Sequence, residues 1–188
     1  MKVNCSAALL LSQFHSNTTH RKQGIQMLKD RLTPKKVSFS RTEQVHVVHP
    51  SDLNGGGRLF GGALLQLIDE VAGIVAKRHA QCPNVTTAAI DNLNFKAGAY
   101  ENDLLVIIGK VTYTGNTSME VRVDTYVENI AGYRHPINRA YFVMVAMDDE
   151  DKPTKVPQLL IEGANQKGEW EAALLRKENR LQRRKEGF

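Results

Sequence analysis

Cysteine and tryptophan are scarce in this chain: two cysteines, Cys5 and Cys82, and one tryptophan occur in 188 residues. Two cysteines far apart give no disulfide framework and fit a reducing compartment. The six histidines, His15, His20, His46, His49, His79 and His135, contain no His-x-x-x-His pair, so no metal site is expected. Nothing approaches the ~20 consecutive apolar residues of a membrane span. The run Ala7-Ala8-Leu9-Leu10-Leu11 is only about half a signal-peptide core, and no small-residue cleavage site follows it. Ser51 lies in no Gly-x-Ser-x-Gly elbow, and neither the Gly-x-x-x-x-Gly-Lys phosphate loop nor the Gly-x-Gly-x-x-Gly dinucleotide spacing is present. Disulfide-rich, metal-dependent, membrane-spanning and serine-nucleophile classes are thereby set aside.

What is present is concentrated between His49 and Gly73. An extended segment leads through a loop holding five glycines, Gly55, Gly56, Gly57, Gly61 and Gly62, into a long apolar helix. The helix is predicted from near Gly61 to about Ala80, because no proline interrupts it and Gln81-Cys82-Pro83-Asn84 stops it. On a 3.6-residue period Asp69 shares a face with Gly62, Leu65, Ala72, Gly73 and Ala76, whereas Glu70 aligns with Gln66 and Lys77. Glu70 reads as solvated and Asp69 as an acid on a small, mostly apolar face. Such a carboxylate is costly unless it is paired or used, so Asp69 is either chemistry or an acid that hydrogen-bonds a neighbouring backbone. The glycines likewise read as a flexible turn or as bare N–H groups aimed at a ligand oxygen.

After the helix, Val85–Phe95, Leu104–Thr114, Met119–Glu128 and Arg139–Met147 read as strands joined by hairpins, with Glu43–Val48 as a first strand. The order β-α-β-β-β-β is an α+β arrangement, one helix against one antiparallel sheet. A single such layer leaves strand edges to cover, so self-association is expected.

The run Asn54-x-x-Gly57-x-x-x-Gly61-Gly62-x-Leu64-Leu65-x-x-x-Asp69-Glu70-x-Ala72 resembles the signature of hotdog-fold acyl-CoA thioesterases of the cytosolic acyl-CoA hydrolase branch. Asp91-x-Leu93-x-Phe95, Gly115-x-Thr117-Ser118-Met119-Glu120-Val121 and Lys152-Pro153-x-x-Val156-Pro157 follow in the order of that branch, over roughly Arg41 to Leu160. The chain departs from it at Gly98, where the family usually has Pro, and at Asn102, where it has Gly.

The resemblance implies a hotdog fold, with a long central helix wrapped by the sheet, and hydrolysis of acyl-CoA to free fatty acid and coenzyme A. It also implies a site shared between protomers, in which Asn54, Gly61 and Gly62 of one chain face Asp69 of the next. There Asp69 orients and deprotonates water, or attacks directly, while N–H groups at the helix start hold the oxyanion. A dimer, further assembled as a trimer of dimers, is implied too, with no cofactor beyond the coenzyme A of the substrate. Phe95 lies by the pantetheine tunnel; Lys96 is a phosphate contact or a strand-edge solubility device. Thr117 and Ser118 are hydroxyls for pantetheine or pyrophosphate or an ordinary turn, and Arg58 is a further, weaker candidate. A non-catalytic acyl-CoA sensor would use the same tunnel. A hotdog dehydratase fits less well, because it needs a catalytic His and the helix has none before His79; His49 reads as a structural histidine.

The sequence divides into an extension over 1–38, with a short helix around Ile25–Leu32, a hotdog domain over 39–162 and a basic helix or tail over 163–188. The tail carries Trp170, Leu174 and Leu181 among Arg176, Lys177, Arg180, Arg183, Arg184 and Lys185, and is expected to be helical from Glu169. Without interleaved aromatics it does not look like a nucleic-acid surface, and it reads as a solvated helix, pinned if at all to another subunit through Trp170. A net charge of +5, a cytoplasmic location and no membrane insertion complete the expectation.

Overall fold

The computed structural model describes residues 30–187; positions 1–29 of the expected 1–38 extension, with five of the eight residues of its short helix, lie outside them. The compact unit Pro34–Phe188 holds the sheet and both long helices. That unit begins at Pro34 rather than at residue 39, because Lys35 and Lys36 pair in parallel with Leu159 and Leu160.

In chain order the elements are β1 (Lys35–Lys36), α1 (Val37–Ser40), β2 (Thr42–Val47), a 3-10 turn (Pro50–Asp52), α2 (Gly61–Ala80), β3 (Val85–Phe95), β4 (Leu104–Thr114), β5 (Ser118–Glu128), β6 (Arg134–Ala146), β7 (Leu159–Leu160) and α3 (Gly163–Glu186). Five strands form one antiparallel sheet in the order β2-β4-β5-β6-β3, so β2 and β3 are its edges. The expected β-α-β-β-β-β order is present as β2, α2, β3, β4, β5 and β6, with the short β1, α1 and β7 added. β6 starts at Arg134 rather than Arg139, since Pro136 stands at a register shift in the β5–β6 ladder, where a missing N–H is tolerated. Asn102 takes φ 67°, the left-handed region that the family's usual Gly reaches freely and Asn reaches more easily than most residues.

α2 lies on the inner face of the sheet. Leu64, Ile68, Val71, Ala72, Val75 and Ala76 are buried against Leu105, Ile107, Val121, Val123 and Phe142. A Cβ on Gly109 would lie 2.8 Å from γ-carbons of both Val71 and Val75, so the helix approaches β4 closely only because that position is glycine. At the C-terminal end Lys35 Nζ donates to the His79 carbonyl (3.0 Å) and to Gln81 Oε1 (2.8 Å), satisfying a helix-end carbonyl. His79 itself is fully buried, with Nδ1 3.2 Å from Ser40 Oγ.

The outer face is covered by α3, which corrects the expectation of a solvated tail. α3 begins at Gly163, Ala173 is fully buried, and Trp170 packs on Tyr113 of its own chain at 4.6 Å between ring centroids. Glu120, only 1 % exposed, accepts from Thr112 Oγ1 (2.7 Å) and from Arg176 Nε and NH2 (3.1 and 2.8 Å). The Arg176 guanidinium also lies 3.7 Å over the Tyr141 ring. Asp91 pairs with Arg180 and Arg183, and Glu169 pairs with Arg122 and Lys110. The basic residues of α3 therefore match carboxylates of the sheet.

Two outcomes follow from this packing. Removing one member of a buried charge pair strands the other, so Glu120→Ala is expected to destabilise the fold by about 3 kcal/mol in urea unfolding. For His79, burial first and the charge of Lys35 second lower the imidazole pKa from 6.5 to about 4. The unfolded chain then binds the proton first, so stability is whole above the unfolded value and falls as pH drops toward the folded one, by at most about 3 kcal/mol. The thermal midpoint of His79→Gln is expected to fall less between about pH 7 and pH 4.5 than that of the wild type.

Candidate active site

The loop between the 3-10 turn and α2 is organised by two acceptors. Asn54 Oδ1 accepts from the backbone N–H of Gly56 (2.9 Å) and Arg58 (3.3 Å), while Asn54 N donates to the Arg58 carbonyl (2.7 Å). The loop thus holds the Asn54 carbonyl oxygen and leaves its amide nitrogen free of these bonds. Asp52 anchors the base: its carbonyl accepts from Phe60 N (2.7 Å), and Oδ2 accepts from His49 N (2.9 Å) and lies 2.8 Å from His46 Nε2. The His49 amide, then the His46 imidazole, hold the Asp52 carboxyl below the usual range. The His49 ring meets the edge of His46 at 5.6 Å between centroids.

At the start of α2 the first intrahelical bond runs from Leu64 N to the Phe60 carbonyl (3.0 Å). The N–H groups of Gly61, Gly62 and Ala63 therefore have no intrahelical acceptor. Phe60 folds over Gly62, where a Cβ would sit 2.5 Å from its ring, and Phe95 lies over Gly61 at 3.5 Å from the corresponding point. Phe60, Phe95 and Tyr100 remain about half exposed, forming an aromatic mouth. Arg58 reaches the same corner, its Cδ 3.7 Å from a Cβ built on Gly98, and Lys96 follows Phe95 with its N–H on the Ile137 carbonyl (2.8 Å).

Asp69 stands half-buried further along α2, and its Oδ1 accepts from Thr87 Oγ1 on β3 at 2.7 Å. It opens into a cleft of about 660 Å³ between α2 and the edge strand β3, walled by Gly73, Ile74, Val85, Thr86 and Met144. Glu70 is exposed and accepts from Gln66 Nε2 (3.2 Å), as the helical period indicated.

One chain does not bring these residues to a point. Asn54, Arg58, Gly61, Gly62, Phe95 and Lys96 gather at one end, and Asp69 lies eight residues on from Gly61, ~12 Å along the axis. Thr117 and Ser118 lie at the far end of the sheet: Ser118 pairs with Val145, while Phe95 pairs with Asn138, seven residues or ~23 Å along β6. Ser118 borders a small pocket with Lys177, Arg180 and Arg184 of α3. Thr87 was not among the residues singled out from the sequence; threonine is common in strands, and only the register of β3 against α2 marks this one.

Residues 56–132 match the thioesterase superfamily. A hexameric acyl-CoA thioesterase in its apo form superposes with a TM-score of 0.76 at 41 % identity, covering 80 % of this chain and 97 % of that one. An acyl-CoA hydrolase from Staphylococcus aureus, solved with butyryl coenzyme A, coenzyme A and coenzyme A disulfide, superposes with a TM-score of 0.76 at 34 % identity, covering 81 % of this chain and 93 % of that one. Fold and site together define a hotdog protein of the thioesterase class. The cytosolic acyl coenzyme A thioester hydrolase of Rattus norvegicus is 39 % identical over 142 residues, 73 % of this chain. This chain belongs to the acyl-CoA thioester hydrolase family, and spans 37 % of the length of that rat relative.

Because the Asp52 carboxylate accepts from the His49 amide, Asp52→Ala is expected to speed amide hydrogen exchange at His49 about ten-fold, leaving the middle of α2 unchanged.

Proposed function

We propose that this chain hydrolyses acyl-CoA thioesters to a fatty acid and coenzyme A. The observation that carries the reading is the Asp69 carboxylate, held by Thr87 in an open cleft on the same helix whose first N–H groups stand unpaired behind the Asn54 loop. In this reading the thioester oxygen sits on N–H groups near Gly62, where the helix end adds partial positive charge. Asp69 takes a proton from water as its oxygen adds to the carbonyl carbon. The tetrahedral intermediate then collapses with cleavage of the carbon–sulfur bond, and the proton leaves with the coenzyme A sulfur. Thr87 holds the carboxylate in line.

A general base and an oxyanion site both have to lie within about 3 Å of atoms around one carbon, and ~12 Å of rigid helix separates them here. In this reading a second copy resolves the conflict: β3 is a sheet edge beside the Asp69 cleft, and pairing it with the partner's edge would set one chain's Asn54, Gly61 and Gly62 opposite the other's Asp69. The hexameric state in the name of one relative supports this, as do the acyl-CoA species bound by another. Arg58, Lys96, Thr117 and Ser118 would meet the phosphates and pantetheine, with Phe95 along the tunnel. The reaction calls on no resident cofactor, and the cytosolic name of the rat relative supports a cytoplasmic setting. No helix among the described residues is long and apolar enough to cross a membrane.

The test is thiol release from acyl-CoA esters by wild type and Asp69→Asn at matched oligomeric state. A loss of about 100-fold or more in kcat is expected from the variant. Equal turnover would contradict the assignment, and tight acyl-CoA binding without any release would leave a sensor.

A further inference from the structure

We infer that Gly73 sets the length of acyl chain the enzyme accepts, by keeping open the stretch of cleft into which the chain runs; this rests on the thioesterase reading above. A glycine in the middle of a helix lowers its stability relative to alanine, so it calls for a reason. Close packing explains the glycine of the facing strand β4, Gly109, where a Cβ would collide with Val71 and Val75. At Gly73 no such reason exists within the chain: its φ is not left-handed, and a Cβ built there meets nothing within 4 Å. The adjacent small residues Ala72 and Ala76 differ, because both are fully buried and their size is explained by contact with the sheet.

The empty space is not elsewhere on the helix but beside the chemistry. Gly73 lies one turn after Asp69 on the same face, ~6 Å along the axis, and borders the same cleft of about 660 Å³. Its other walls include Ile74, Val85 and Met144, apolar surface suited to a hydrocarbon, together with Thr86 and Thr87, while Glu70 and Lys77 border it with charge. An acyl group whose carbonyl carbon stands at Asp69 passes directly over Gly73. A short acyl group ends before this point; a longer one needs the room the absent side chain leaves. The residue acts on chain length rather than on the reaction itself, since no atom of it reaches the carbonyl.

The measurement is kcat/KM of this 188-residue chain for acetyl-, butyryl-, octanoyl- and palmitoyl-CoA, with wild type, Gly73→Ala and Gly73→Leu, alongside thermal midpoints and light scattering. Gly73→Ala is expected to fold with a raised midpoint. Gly73→Leu is expected to lose about ten-fold or more on the longest ester the wild type turns over, while the shortest accepted ester stays within about two-fold. An unchanged ratio between long and short esters, an equal loss on all of them, or dissociation of the oligomer would overturn the inference, the last by making Gly73 an interface residue. A wild type inactive on every ester refutes the thioesterase reading itself, whereas an active wild type with an unchanged ratio in the variants refutes only the role of Gly73.

Discussion

Everything in this molecule depends on the burial of one face of α2 against the inner face of the sheet. Seven apolar side chains of the helix are enclosed there, each fully buried Leu, Ile or Val contributing roughly 1.5–3 kcal/mol. The glycine at position 109 lets the backbone come close enough for that contact to be tight. A helix held along its whole length is a rigid ruler. It fixes the Asn54 loop and the unpaired N–H groups at one point and Asp69 at another, with both on the side facing the β3 edge. The same rigidity that makes each half of the site well defined prevents one chain from closing it. In the proposed reading, assembly is then a condition of the chemistry.

The two faces of the sheet are joined to their helices by different physics. Inside, apolar burial dominates. Outside, α3 is docked through Glu120, Asp91 and Glu169 with Arg176, Arg180, Arg183, Arg122 and Lys110, supplemented by Trp170 on Tyr113 and Arg176 over Tyr141. Buried ion pairs add little net stability because desolvation opposes attraction, but an unmatched charge is costly, so such a network fixes the register of one element on another. The helix excludes water from Glu120, and among the described residues no strand pairs with the outer edge of β3.

How far the sequence is legible follows from how local each signal is. The bounds of α2, β3 and β4 are written in uninterrupted periodicity and flanking turn residues, and the distinction between Asp69 and Glu70 is written in the 3.6-residue period alone. The candidate residues around Asn54 and Gly61 are adjacent in the chain, so the motif carries them together. What could not be read is what depends on distant pairing. The charges of α3 look solvated until Glu120 and Asp91, more than fifty residues away, are placed beneath them. Thr87 is one strand threonine among several until β3 is registered against α2. The joining of Lys35 to the end of α2 is likewise tertiary. The short β1–β7 ladder has no periodicity long enough to announce it.

The central claim is that two chains complete one site. It is tested most directly by mixing two inactive variants, Asn54→Ala and Asp69→Asn, under conditions in which the oligomers exchange subunits, and following thiol release from acyl-CoA. A shared site gives each mixed pair one intact centre, so activity is expected to return to about a quarter of the wild-type level at equal mixing, with each variant alone inactive. Subunit exchange with no return of activity would show that Asn54 and Asp69 act within the same chain, and would contradict the account.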